Sequence, residues 1–103
     1  TNDYGTFDDA TQILGVALDM DNREIAIYKN NSALVSNFSI STNINIAMPY
    51  VVGYESETVK LNFGNPSSAP SSSQSDGDGF GNFEYAPPSG FFSLCTKNLA
   101  EYG

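Results

Sequence analysis

The sequence predicts an all-β protein, and three observations carry that prediction. Runs of β-branched and aromatic residues alternate with polar ones at a period of two. Asn, Asp, Gly and Pro punctuate these runs at short intervals, as turns between strands require. No apolar stripe with a period near 3.6 persists anywhere along the 103 residues.

Taken in order, residues 1–12 are a polar lead-in loop, with Asp3, Asp8 and Asp9 around Tyr4 and Phe7. The run Ile13-Leu14-Gly15-Val16-Ala17-Leu18 is continuously apolar, so it predicts a strand covered on both faces. Asp19-Met20-Asp21-Asn22-Arg23 is turn chemistry, because Asp and Asn side chains bond back to nearby backbone. Glu24-Ile25-Ala26-Ile27-Tyr28-Lys29 then returns as the second arm of a hairpin. Asn30-Asn31 makes the next turn, and Ser36–Ile40 a weaker strand in which Phe38 and Ile40 share a face.

Further strands are expected at Ile44–Met48, after Pro49 at Tyr50–Tyr54, and at Thr58–Phe63. The last has the cleanest alternation, with Val59, Leu61 and Phe63 on one side, and it places Leu61 in the core. Residues 65–79 hold Pro, Ser, Gly and Asp with Ala69 as the sole aliphatic residue, and are expected to be a long exposed loop. Aromatics return at Phe80, Phe83 and Tyr85, followed by the stiff Pro87-Pro88 pair and Phe91-Phe92-Ser93-Leu94. Residues 100–103 form a tail.

Composition narrows the function. Apolar residues make up 40%, too many for a disordered chain, and the length allows one domain at most. Four basic against twelve acidic residues give a net charge of −8. Arg23, Lys29, Lys60 and Lys97 are scattered, so no basic patch exists to hold a phosphate backbone and nucleic acid is not an expected partner. No apolar run approaches membrane-spanning length, so no membrane insertion is expected. The absence of His removes the commonest general base and zinc ligand, and Cys95 has no second cysteine to pair with. Cys95 follows Phe91-Phe92-Ser93-Leu94 and is expected to be a small buried thiol, so the chain is expected to be no enzyme and to need no cofactor.

Three blocks, in this order, resemble the SPRY domain. The first is Ile13-Leu14-Gly15-Val16-Ala17-Leu18-Asp19-Met20-Asp21-Asn22 running into Ile25-Ala26-Ile27-Tyr28-Lys29-Asn30. The second is Met48-Pro49-Tyr50-Val51-Val52-Gly53 followed by Val59-Lys60-Leu61-Asn62-Phe63-Gly64. The third, Phe83-Glu84-Tyr85-Ala86-Pro87-Pro88-Ser89-Gly90-Phe91-Phe92-Ser93-Leu94-Cys95-Thr96-Lys97-Asn98-Leu99, is similar to the ending of SPRY-like modules in phage tail fibres and other phage structural proteins. The resemblance spans residues 13–99 and implies the C-terminal part of an antiparallel two-sheet sandwich of the concanavalin-like or jelly-roll type. Arg23 departs from it, standing where the family's turn carries glycine, which implies a different turn type. The family's N-terminal strands are missing too. Half a sandwich leaves edges and apolar faces open, so completion by upstream strands or neighbouring subunits is expected.

The implied function is that of a bacteriophage virion component on the particle exterior: a tail fibre, spike or capsid appendage serving assembly and host attachment. Its partners would be other virion proteins, copies of itself, often trimeric in phage fibres of this kind, and a host surface glycan or protein. The alternatives are a cellular SPRY adaptor gripping a protein partner, and a carbohydrate-binding lectin-like domain.

Tyr28, Tyr50 and Tyr54 are candidate contact residues, since aromatic faces stack on sugars and anchor interfaces. Asn30 and Asn31 join them because the resemblance places binding in the variable loops, here Asn30–Ser36 and Asn65–Gly79. No metal is expected. Asp19 and Asp21, with Asn22 and Glu24, have the oxygen-rich spacing of a calcium loop, but turn formation accounts for them; Asp76 and Asp78 are explained as a solvated acidic linker. Glu55 and Glu57 fall in an expected exposed turn, not in a buried site where one would act as an acid. The triplets Asn30-Asn31-Ser32 and Asn37-Phe38-Ser39 match glycosylation sites by chance in a chain this rich in Asn and Ser.

Overall fold

A computed structural model describes residues 11–52 and 58–102. The chain divides into two compact units, Thr1–Thr42 and Asn43–Gly103. Among the described residues, regular structure consists of one three-stranded antiparallel sheet and one short helix.

The first unit is a meander of β1 (Leu14–Asp19), β2 (Glu24–Lys29) and β3 (Ser32–Ser39) in that order. The predicted hairpin is present, with Val16 opposite Ile27 and Leu18 opposite Ile25. Its turn is held by the Asp19 carboxylate, which accepts from the Asp21 and Asn22 backbone N–H groups at 3.0 and 2.9 Å and from the Asn22 amide at 2.8 Å. Arg23 takes the left-handed conformation at φ 59°, so it occupies the glycine-like position itself, contrary to the sequence expectation of another turn. L-residues reach this region at a cost of about 1–2 kcal/mol.

The β2–β3 connection is a two-residue turn in which Asn30 and Asn31 both have positive φ, 48° and 68°, the type I′ geometry that matches strand twist. Asn30 also closes the first unit's start. Its N–H donates to the Ile13 carbonyl and its side-chain oxygen accepts from the Ile13 N–H, both at 2.9 Å. β3 is irregular: Ile25 faces Phe38 and Ile27 faces Val35, so β3 carries an extra residue where Asn37 turns to φ 53°, and the register shifts again between Ile27 and Tyr28. Such bulges twist an edge strand away from further pairing.

Antiparallel register puts Leu14, Val16, Leu18, Ile25, Ile27, Val35 and Phe38 on one face. Val16 is 60% and Phe38 51% exposed, so this face is open rather than covered as the continuous apolar run predicted. The opposite face carries Gly15, where Tyr28 lies across the strand, and Ala17, the buried hydrophobic residue of the described chain at 5% exposure.

The second unit departs further from expectation. The strands predicted at Ile44–Met48 and Thr58–Phe63, and the described part of the one at Tyr50–Tyr54, are not strands. Residues 44–52 and 58–62 run without turn or bend and join no β-ladder among the described residues, and β-propensity alone does not make a sheet. Leu61, expected in the core, is 58% exposed.

The predicted loop 65–79 is structured at its end. Gln74 and Phe83 exchange two backbone hydrogen bonds, and the Asp76 N–H bonds the Phe80 carbonyl at 2.9 Å, making a small hairpin-like turn. Pro88–Phe91 is a turn with Gly90 at φ 86°, the type II position where glycine belongs. The chain then enters α1 (Thr96–Tyr102), a helix too short for the sequence period to reveal, where a tail was expected from residue 100.

Candidate functional site

The best-organised constellation is a buried polar knot in the second unit. Asp76, Ser93 and Asn98 are its buried polar residues among those described, at 6%, 5% and 6% exposure. The tight turn aims the Asp76 carboxylate inward. One oxygen accepts from the Asp78 and Phe80 N–H groups at 3.0 and 2.9 Å. The other accepts from the Ser93 N–H and hydroxyl, both at 2.9 Å, and from the Asn98 amide at 2.8 Å. The same amide also donates to the Ser93 carbonyl and hydroxyl oxygens.

Burial pushes the Asp76 carboxyl upward, but the donors from Ser93, Phe80 and Asn98 outweigh it and hold the group far below the usual carboxylate range. Asp76 is therefore a fixed anion that pins the 74–83 turn to the start of α1. Every lone pair aimed at a protein donor is one unavailable to a metal or substrate.

Cys95 caps α1. Its thiol lies 3.3 Å from the Ser93 hydroxyl, and the Leu99 N–H donates to its carbonyl at 3.0 Å. The hydrogen bond with Ser93, then that from the Asn98 backbone N–H, lower the thiol's pKa, which burial and the Asp76 charge partly oppose. The thiol is half-buried rather than buried as predicted, because it serves the helix end and not an apolar core. It lies beside a shallow groove of about 290 Å³ lined by Leu61, Phe63, Asn65, Leu94, Cys95 and Thr96.

Two more anchors stiffen this unit. Glu84 accepts from the Ser71 and Ser72 N–H groups at 2.7 and 3.3 Å and from the Ser72 hydroxyl at 2.9 Å. Asn62 donates to the Asn82 carbonyl and accepts from the Gly64 N–H, both at 2.8 Å. The Lys97 ammonium sits 5.6 Å from the centre of the Phe80 ring, within cation–π range.

The structure separates the sequence-derived candidates. Asn30 and Asn31 are spent on the type I′ turn, although Asn31 stays exposed. Tyr28 is half-buried over Gly15 in the first unit, and Tyr50 is 85% exposed in the second. Tyr54, Glu55 and Glu57, like the lead-in residues 1–10, lie outside the described residues. Asp19 is a turn-former whose pKa is lowered by the Asn22 backbone and side-chain donors. Asp78 is exposed, while Asp76, expected in a solvated linker, is the centre of the knot. Among the described residues, no three Cys, Asp or Glu side chains gather as metal ligands.

Ser93, Asn98 and Glu84 were not picked out by sequence. Asp76 meets Ser93 and Asn98 across 17 and 22 residues, and no motif spacing announces such a contact. No family model, curated protein or solved structure matches this chain.

Proposed function

We propose that this chain is a non-catalytic SPRY-like β module on the exterior of a bacteriophage particle, carried on a tail fibre, spike or capsid appendage. It acts in assembly with other virion proteins and copies of itself, and in contact with a host surface glycan or protein. The observation that carries this reading is the resemblance of three ordered blocks to the SPRY domain, the last of which, Phe83–Leu99, is similar to the ending of phage SPRY-like modules. The parts built from those blocks are shape-forming devices: an Asp19-held hairpin turn, a type II turn at Gly90, and the Ser93 and Asn98 donors that hold Asp76 of the 65–79 segment.

The two-sheet sandwich belongs to the same proposal. A sheet with Leu14, Val16, Leu18 and Phe38 exposed on one face needs a second layer to bury it, since stable domains pair such faces. In this reading the mechanism is geometric. The scaffold presents Asn31 and Tyr50 in weak contacts, and many copies on one particle turn weak contacts into avidity.

Immunogold labelling of intact particles with antibodies raised against this chain tests the reading. Gold at a fixed place on unbroken virions is the expected result. Label confined to the host cell, with bare particles, moves the cellular SPRY adaptor to first place.

A further inference from the structure

Two Asp-Gly pairs, Asp76-Gly77 and Asp78-Gly79, stand side by side in one turn, and the fold treats them in opposite ways. A glycine after aspartate leaves the next amide nitrogen unshielded and its backbone free to turn, so that nitrogen can reach the aspartyl side-chain carbon. Gly77, Asp78 and Gly79 are all exposed, and the space where a Cβ of either glycine would sit is open. The difference lies in the carboxyls. Asp76 is buried and its two oxygens accept five hydrogen bonds. The Asp78 carboxylate accepts none among the described residues, and its side chain stands in solvent.

We propose that Asp78-Gly79 is a self-modification site, at which the backbone isomerises through the Asp78 side chain, and that the Asp76 knot spares Asp76-Gly77 the same reaction. The proposal is independent of where the protein resides.

The reaction needs water alone. The Gly79 amide nitrogen attacks Cγ of the protonated Asp78 carboxyl; the N–Cγ bond forms, one Cγ–O bond breaks, and the departing hydroxyl leaves as water with the amide proton. Water then opens the five-membered succinimide. Addition at the side-chain carbonyl restores aspartate, and addition at the backbone carbonyl gives isoaspartate, so nothing is oxidised or reduced.

Magnitudes choose between the two pairs. At Asp78 the bond that must open is the one from the Gly79 N–H to the Asp76 carbonyl, 3.0 Å long on an exposed turn, and a bond of that kind slows the reaction about 2–10-fold. At Asp76 the carboxyl must be turned from its donors, and each buried bond to a charged acceptor slows the reaction about 10–150-fold. Ser93 and Asn98 supply three such bonds. They also hold the Asp76 carboxyl ionised, the form from which water does not leave. Asp78 therefore reacts at least ~100-fold faster. The modification reaches the knot, because isoaspartate adds one carbon to the backbone between Asp76 and Phe80, whose two mutual hydrogen bonds of 2.9 Å close the turn.

The test incubates the chain for weeks in mildly acidic buffer, folded and in denaturing guanidinium, and maps the products by electron-transfer fragmentation, which distinguishes the isomers position by position. In the folded chain isoaspartate is expected at position 78 at least ~100-fold faster than at position 76, whereas in guanidinium the two positions react at comparable rates. Folded chains modified at position 78 are expected to lose exchange protection at the Phe80 amide. Absence of isoaspartate at position 78 overturns the proposal, as do equal rates at the two positions in the folded chain. A preference that persists in guanidinium does so too, because the fold then makes no choice. An unchanged Phe80 amide overturns the claim that the modification reaches the knot.

Discussion

Replacing Asp76 with Ala removes the acceptor of five hydrogen bonds in one step. Asp78 is exposed and its N–H re-bonds to water, whereas Phe80 is half-buried, so these two donors contribute less to the loss than the buried ones. Ser93 and Asn98 are buried, and their stranded donors keep the full desolvation penalty. A buried bond to a charged acceptor is worth about 1.5–3 kcal/mol, and an unsatisfied buried donor costs about 1–3 kcal/mol. The Asn98 amide keeps its bonds to Ser93, which limits the total. We therefore expect Asp76→Ala to cost about 3–5 kcal/mol, a large share of the ~5–15 kcal/mol typical of a small protein. With no Trp in the chain, urea unfolding is best followed by the amide resonances of Ser93 and Phe83. At a urea slope of about 1–3 kcal/mol per molar, the midpoint falls by more than ~1 M. The acid response has a definite sign. Because the folded pKa lies below the ordinary 3.8, the carboxylate's contribution is complete above that pH and is lost as the pH falls below it. The variant should therefore be less stable than the natural protein at neutral pH and converge with it in strong acid. A loss below about 1 kcal/mol, with Ser93 and Phe83 shifts unchanged, would refute the claim that the knot holds this unit together.

Three other substitutions probe the fold. Gly81→Ala adds a methyl group at φ 86° that collides with the Phe83 ring and lies 3.1 Å from Ser93, and should cost about 2–4 kcal/mol by thermal or urea unfolding. Arg23→Gly relieves the left-handed penalty of the hairpin turn and is expected to raise stability by about 0.5–1 kcal/mol, net of the glycine entropy cost; a decrease means that contacts of the Arg23 side chain outweigh the backbone strain. Leu61→Ala should cost less than ~1 kcal/mol in the monomer because the side chain is mostly exposed, whereas the core position implied by alternation alone would cost about 2–5 kcal/mol.

What the sequence disclosed was local. Asp19 and Asn22 bond within the turn, and Asn30 and Asn31 take positive φ in theirs, so their turn chemistry predicts both the β1–β2 hairpin and the next reversal, while the bonds of Asn30 to Ile13, 17 residues away, are not announced by it. Alternation at Val59, Leu61 and Phe63 records only a preference for extended backbone. Whether a ladder forms depends on a partner strand, which the residues themselves do not specify. The knot was hidden for another reason: Asp76-Gly77-Asp78-Gly79 has the composition of a solvated linker, and only the fold brings Ser93 and Asn98 to it. The helix Thr96–Tyr102 spans too few turns to show a period, and Cys95 gives no sign in sequence that it caps one.

The proposal that this chain is a virion component is tested most directly by quantitative peptide mass spectrometry of purified, nuclease-treated phage particles. The account predicts peptides covering the hairpin and the Phe83–Leu99 block, at a fixed ratio to the major structural proteins across density-gradient fractions. Peptides that are absent from the particle peak and recovered with soluble host protein would contradict it.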